Sequence, residues 1–364
     1  MWITPTWSDR VCIVRVRIDR IRIDGVGVYG LGIGGLGIGG LGIGGVGVDG
    51  IGIDRAGYSF QTIPPSRWRS VQRRRAGAAG IGGLGAATSD RSEGLIACRT
   101  DDRGADGQVA WVTFNNPEKR NALGVEGKTQ FIELMKSLKH REELRAVVIT
   151  GAGDESFVGG TNIAEMAAFD IATAEASATK THHMCDVVRT FPLPVIARIN
   201  GYCLGSGMEL AACADMRVAA DHAVFGMPET RLGIPSGMEA SVLPKLIGWG
   251  KAAELVLTGD RIDAQEAHAI GYLQRLVPKD ELDNATEGWL TSLLRCGPNA
   301  IRLQKRLLIA WDRMGTTDGA RAGIEAYVDA YRTDEPRRLM TDFLARSRQP
   351  GSQRNSQKRS SPRT

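Results

Sequence analysis

The chain has 364 residues, 24% of them charged and 42% hydrophobic; that suits one large soluble domain or two ordinary ones, and no stretch approaches the roughly 18 consecutive apolar residues of a membrane span. Its six cysteines (Cys12, Cys98, Cys185, Cys203, Cys213, Cys296) form no C-x-x-C pair and have no histidine at ligand spacing, which argues against a disulfide framework or a metal site and for a reducing, cytoplasmic setting. The net charge of +5 comes from the ends: residues 1–92 carry twelve Arg against six Asp and 346–364 carry six basic residues and no acid, leaving 28 basic against 35 acidic residues in 93–345. A folded nucleic-acid binder puts its positive charge on the domain itself, so neither a nucleic-acid nor a membrane partner is expected.

Residues 25–52 alternate Gly with Val, Ile or Leu, and "LGIGG" occurs three times. Glycine on every second position leaves one face of a strand nothing to pack and costs backbone entropy. Three readings stand for residues 1–92: a flexible low-complexity extension, a repeat that stacks on itself, or upstream sequence read through from a misplaced start. The Arg-rich stretch 66–80 resembles a transit peptide only loosely, because its amphipathic pattern is poor.

From about residue 93 the texture changes. "QVAWVTFN" (108–115) alternates as a half-buried strand does. "NPEKRNAL" reads as a turn into a helix over 122–139, with Leu134, Met135 and Leu138 on one stripe. "RAVVITG" (145–151) and "PVIARING" (194–201) are continuous apolar runs of the fully buried kind, separated by a mostly polar helix over 163–190. "MRVAA" (216–220) and "QRLVP" (274–278) read as further strands, and helices are expected at 281–296, 298–314 and 317–332. Strands alternating with helices, followed by helices alone, predict an α/β core over 93–280, a helical region over 281–346 and a disordered basic tail over 347–364.

Two Gly-rich turns follow two of the buried strands, "GAGDESFVGGTNIAEM" (151–166) and "NGYCLGSGMEL" (200–210). Glycines at a strand-to-helix turn let backbone amides approach an anion, and two such turns can supply the two donors of an oxyanion hole. Neither carries the Lys-Ser/Thr of a phosphate-binding P-loop. Glu209 stands on the second turn's apolar helix, where it is either a charge favoured by the helix dipole or a catalytic acid–base. Glu229, in "FGMPETRLGIPSG" (225–237), is either a surface loop acid or its partner.

In order and spacing, "NPEKRNAL", "RAVVITGAGDESFVGGTNIAEM", "PVIARINGYCLGSGMELAACADMRVAADHAVFGMPETRLGIP" and "ELVLTGDRIDAQEAHAIGYLQRLVP" resemble the crotonase (enoyl-CoA hydratase/isomerase) superfamily over about residues 94–346. The resemblance implies a spiral of ββα units, a C-terminal helical region used for trimerisation, and a homotrimer or dimer of trimers. It implies an acyl-CoA thioester as substrate and no separate cofactor or metal. It places the oxyanion-hole amides at Thr161 and Ser206, the two hydratase glutamates at Glu209 and Glu229, and substrate or CoA contacts at Lys119, Arg120, Ala122, Gly160, Asn162, Ile163 and Gly205. Reversible syn addition of water to a 2-enoyl-CoA is the implied reaction, with Glu209 activating the water and Glu229 protonating C2. An isomerase or specialised dehydratase of the same family is the nearest alternative; a non-catalytic CoA- or RNA-binding scaffold is the alternative of another class. Two departures stand out: Asn162 replaces a common Asp, and "IPSGMEASVLP" replaces a Gly-rich run, adding Glu239, expected as an exposed acid of a first helical turn.

Overall fold

The computed structural model describes residues 94–347 and, before them, only the backbone of five short strands paired antiparallel: Ile3–Ser8, Val11–Ile18 and Ile21–Ile23 in one sheet, Ile51–Ile53 and Ser59–Gln61 in another. These strands belong to a separate unit, Met1–Ala86. The glycine repeat from 25 to 50, the Arg-rich stretch 66–80 and the tail beyond Ser347 lie outside the described residues.

The main unit opens with an antiparallel hairpin, β1 (Ile96–Asp102) and β2 (Gln108–Phe114), followed by α1 (Val125–Leu138). Three strand–strand–helix turns come next. The first is β3 (Leu144–Gly151), β4 (Ser156–Val158), a short α2 (Ile163–Met166) and α3 (Ile171–Arg189). The second is β5 (Val195–Ile199), β6 (Tyr202–Leu204) and α4 (Ser206–Ala212). The third is β7 (Met216–Ala220), β8 (Val224–Gly226), two 3-10 turns (Pro228–Leu232 and Met238–Val242), α5 (Leu243–Ile247) and α6 (Trp249–Thr258). After β9 (Arg261–Asp263), α7 (Ala264–Ala269) and β10 (Arg275–Val277), the chain is helical: α8 (Leu282–Leu294), α9 (Pro298–Trp311), α10 (Thr316–Ala330) and α11 (Glu335–Ser347).

Each turn of the spiral gives one long strand to a six-stranded sheet, ordered β10-β7-β5-β3-β2-β1, and one short strand to a four-stranded sheet, ordered β9-β8-β6-β4. Apart from the β1–β2 and β8–β9 pairs, both sheets are parallel. The four short strands were not legible as strands; three residues each, they lie in or beside segments read as glycine turns and loops.

The long strands are apolar on both faces because both faces are covered. Val147 and Ile149 of β3 join the main core with Phe131 and Met135 of α1 and Met184 and Val188 of α3. Ala146 and Val148 point the other way, into a second core closed by Leu282 and Leu290 of α8. The same alternation buries β2 on both sides, with Val109 and Trp111 under α8 and Ala110, Val112 and Phe114 in the main core, so it is not the half-exposed strand its pattern predicts. The polar helix expected over 163–190 is broken: Asp170 starts α3 with a reciprocal capping box to Thr173. Ser177, Thr181, Met184, Cys185 and Val188 then form its narrow buried stripe. Of the C-terminal helices, α11 was not anticipated as a separate element.

Buried polar pairs hold the frame behind the second turn of the spiral. Arg217 of β7 is 3% exposed and donates to the carbonyls of Ala211 (3.1 Å), Ala214 (2.8 Å) and Tyr272 (2.7 Å). It thereby satisfies carbonyls at the C-terminal end of α4. The Tyr272 hydroxyl donates to the Met208 carbonyl at 2.7 Å in the same helix. Lys305 of α9 donates to both oxygens of Asp215 (2.6 and 2.7 Å), and Asp215 also accepts from the Val195 amide at 2.8 Å.

Candidate active site

The two glycine turns meet. Gly160 lies in the left-handed region at φ +112°, and a Cβ there would come 3.3 Å from the Leu204 carbonyl oxygen. The "NPEKRNAL" loop is laced to the first turn: the Leu123 amide donates to Gly160 O (2.9 Å) and the Asn162 amide to Leu123 O (3.1 Å). That bridge leaves the Thr161 amide out of the ladder. Ser206 is the first residue of α4, so its amide has no acceptor within the helix. The side chains of these residues touch, Thr161 Oγ1 donating to Ser206 Oγ at 3.1 Å. Residues of the two turns are thus held in contact.

Glu209 lies one turn into α4 and is 1% exposed. Its Oε1 accepts from the Ala240 amide at 2.9 Å, whereas Oε2 is buried and without a partner among the described residues. Burial, reinforced by the Glu229 charge, lifts its pKa from 4.5 to about 8, with the Ala240 amide acting against the rise. Glu229 sits in the 3-10 turn Pro228–Leu232, and Ser236 Oγ donates to its Oε2 at 2.8 Å. Burial raises this carboxyl too, its own backbone amide and Ser236 pulling the other way. Its Oε1 occupies the space beside Gly205: a Cβ on that residue, at φ +52°, would lie 2.5 Å from the oxygen. Gly205 is therefore a glycine because the carboxylate and the backbone both demand it. Both carboxyls are thus shifted upward, chiefly by burial, and the Glu229 charge adds to the shift of Glu209.

The remaining predicted positions have differing surroundings. Lys119 is exposed at the end of the loop, and the Arg120 guanidinium stacks 4.9 Å from the Tyr202 ring centre. Ala122 is half-buried, and Ile163 is 60% exposed beside the first turn. Asn162 uses its side chain as the N-cap of α2, accepting from the amides of Ala164 (3.1 Å) and Glu165 (3.4 Å). The larger surface clefts lie elsewhere, such as one of about 480 Å³ between the end of α1 and the starts of α9 and α11. Glu209 is buried and Glu229 is half-buried on the loop that carries it.

Sequence reasoning missed part of this environment. Glu239 is not exposed: it is 4% accessible, its Oε1 is 2.7 Å from His182 Nδ1 of α3, and its Oε2 is buried without a partner among the described residues. It starts a 3-10 turn that folds inward over Glu209, so first-turn logic for a surface helix does not apply. Lys128 of α1 is fully buried and donates to Thr181 Oγ1 (2.8 Å) and Thr161 Oγ1 (3.3 Å). The signal for it was available: Lys128, Phe131, Ile132, Met135 and Leu138 share the buried stripe of one helix.

This fold and these turns have clear counterparts. The family model described as enoyl-CoA hydratase/isomerase matches residues 104–350. A short-chain-enoyl-CoA hydratase of Clostridium acetobutylicum is 30% identical over 247 residues, spanning 68% of this chain and 95% of that protein. A crotonyl-CoA hydratase of Syntrophomonas wolfei is 33% identical over 240 residues, 65% of this chain and 92% of its own. Among solved structures, an enoyl-CoA hydratase from Bacillus anthracis superposes with a TM-score of 0.66 at 29% identity, covering 70% of this chain and 97% of that one. The chain belongs to the enoyl-CoA hydratase/isomerase family, the crotonase superfamily.

Proposed function

We propose that the protein is an enoyl-CoA hydratase, adding water reversibly and syn across the C2=C3 bond of a 2-enoyl-CoA. The observation that carries this reading is a buried carboxyl, Glu209, and a half-buried one, Glu229, on and beside two glycine turns whose Thr161 and Ser206 side chains are in contact. The amides of Thr161 and Ser206 hold the thioester oxygen and stabilise the enolate as charge moves onto it. A water gripped by both carboxyls loses a proton toward Glu209 as its oxygen bonds C3, and Glu229 gives a proton to C2. For that step Glu209 must be ionised and Glu229 protonated before attack. Only protons and a hydroxide equivalent move, and the balance calls for no redox cofactor or metal.

We assign Lys119 and Arg120, both exposed on the loop, to the phosphates of coenzyme A. We also infer a homotrimer or a dimer of trimers built on the C-terminal helices, which expose Leu308, Ile324, Tyr327, Val328 and Phe343, and a reducing, cytoplasmic setting. No helix among the described residues is long and apolar enough to cross a membrane. Loss of enoyl-thioester absorbance with crotonyl-CoA tests the activity. Wild type should turn over, while Glu209→Gln and Glu229→Gln should each fall by about a hundredfold or more. An isomerase would survive loss of Glu209, and a binding scaffold would show no turnover at all.

A further inference from the structure

Lys128 is a costly residue for this fold. Nothing in the packing of α1 requires an ammonium between Phe131, Met135 and the Thr161 turn; the same stripe is otherwise apolar. Burial drives its pKa down to about 8, with Glu165 of α2, Cys185 of α3 and Glu209 of α4 acting in the opposite sense. The hydrogen bonds around it run in one direction. Lys128 Nζ donates to the hydroxyls of Thr161 and Thr181; Thr161 passes its own proton to Ser206 Oγ, and Thr181 passes its own to the Ser177 carbonyl at 3.1 Å. Both threonine hydroxyl protons have acceptors that do not depend on the lysine. The ammonium therefore adds charge and fixed geometry to the Thr161 hydroxyl.

We propose that Lys128 is a positioning residue of the oxyanion hole: through the Thr161 hydroxyl and its contact with Ser206 it locks the two glycine turns together and sets a positive charge behind the oxygen that becomes the enolate. The inference rests on the hydratase reading. It assigns a reason to Thr161 and Ser206, whose backbone amides alone would serve equally well on residues without hydroxyls. Donors fixed before the reaction need no reorganisation as charge develops. The lysine therefore acts on the transition state more than on ground-state binding, and its removal should lower kcat while leaving KM nearly unchanged.

The test pairs turnover of crotonyl-CoA with the absorption of a bound, donor-substituted cinnamoyl-CoA, which shifts to the red as its thioester carbonyl is polarised. Lys128→Met should lower kcat about tenfold or more, hold KM within about twofold and shrink the red shift, with an unfolding midpoint no lower than that of wild type. Thr161→Val should do the same, and Thr161→Ser should recover most of what Thr161→Val loses. The double variant Lys128→Met/Thr161→Val should be little worse than either single one, because both act through one hydrogen bond. An undiminished red shift and kcat in Lys128→Met overturn the proposal while leaving the hydratase reading intact, and so do effects of the two substitutions that multiply. A wild-type protein that neither hydrates crotonyl-CoA nor shifts the chromophore overturns the hydratase reading itself, and this proposal with it.

Discussion

Replacing Glu209 with glutamine should uncouple stability from activity, in a direction the burial of that carboxyl dictates. The side chain is 1% exposed, and only one of its oxygens has a partner among the described residues, the Ala240 amide. Raising a carboxyl from 4.5 to about 8 corresponds to on the order of 5 kcal/mol between its two protonation states. The folded pKa lies above the unfolded one, so the stabilising contribution is complete below about 4.5 and is lost as pH rises through about 8. The substituted amide keeps an acceptor for the Ala240 N–H and cannot ionise. Relative to wild type, the Glu209→Gln variant should therefore gain roughly 3 kcal/mol between about pH 5.5 and about pH 8.5. Urea unfolding of both proteins at several pH values, compared by linear extrapolation, measures this difference and cancels the titration of groups that the Glu209 charge does not reach. Over the same range, hydration of crotonyl-CoA should stay about a hundredfold or more below wild type. A stability difference that remains flat across the range would refute the claim that the fold strains to hold this carboxylate. Near-wild-type turnover would refute its role in the chemistry.

Two further substitutions examine the frame. Gly205→Ala puts a methyl group 2.5 Å from Glu229 Oε1 at φ +52°; it should cost about 1–3 kcal/mol of stability, and steady-state assays should show kcat falling beyond what lost folded protein explains, whereas an unchanged kcat would mean Glu229 need not stand where it does. Arg217→Met removes the donor to four backbone carbonyls at and beside the end of α4, those of Ala211, Ala212, Ala214 and Tyr272; denaturant midpoints should report a loss of about 3 kcal/mol or more, and a loss under about 1 kcal/mol would show that α4 holds its place without the guanidinium.

Much of the fold could be read in advance because burial on two faces leaves a plain mark. The runs around Val147 and Ile196 are apolar at nearly every position, as strands must be when helices lie on both sides. The short strands left no such mark. Ser156–Val158 and Tyr202–Leu204 are held by pairing with one another across the second sheet, not by any periodicity of their own. At the site, the glycines and Glu209 were legible because a carboxylate on an apolar helix beside a glycine turn is locally inconsistent, and such inconsistency points to function. Glu239 was not, since only the inward fold of the 238–242 turn buries it. Lys128 broke the apolar stripe of α1 in plain view, yet a helix whose first turns also hold Glu126, Thr129 and Gln130 makes one more polar residue look ordinary.

The buried polar groups divide into two kinds, and the division itself locates the chemistry. Arg217, Asn121 and the Asp215–Lys305 pair are satisfied several times over and serve to fix turns and helix ends; Asn121, for example, donates to Ala152 O (3.0 Å) and Ser156 O (2.8 Å) while accepting from the Asn116 amide (2.9 Å). Four buried side-chain atoms among the described residues have no partner. Trp111 Nε1 and Arg189 Nε stand on β2 and α3, but the other two are carboxylate oxygens, of Glu209 and Glu239, and Ala240, the residue after Glu239, is the one that bonds Glu209. An unsatisfied carboxylate oxygen is among the least tolerable groups a core can hold, so each of these two calls for a polar partner. The well-paired residues behind α4 fix the helix that carries Glu209. That arrangement makes the burial of Glu209 destabilising on its own account once it ionises.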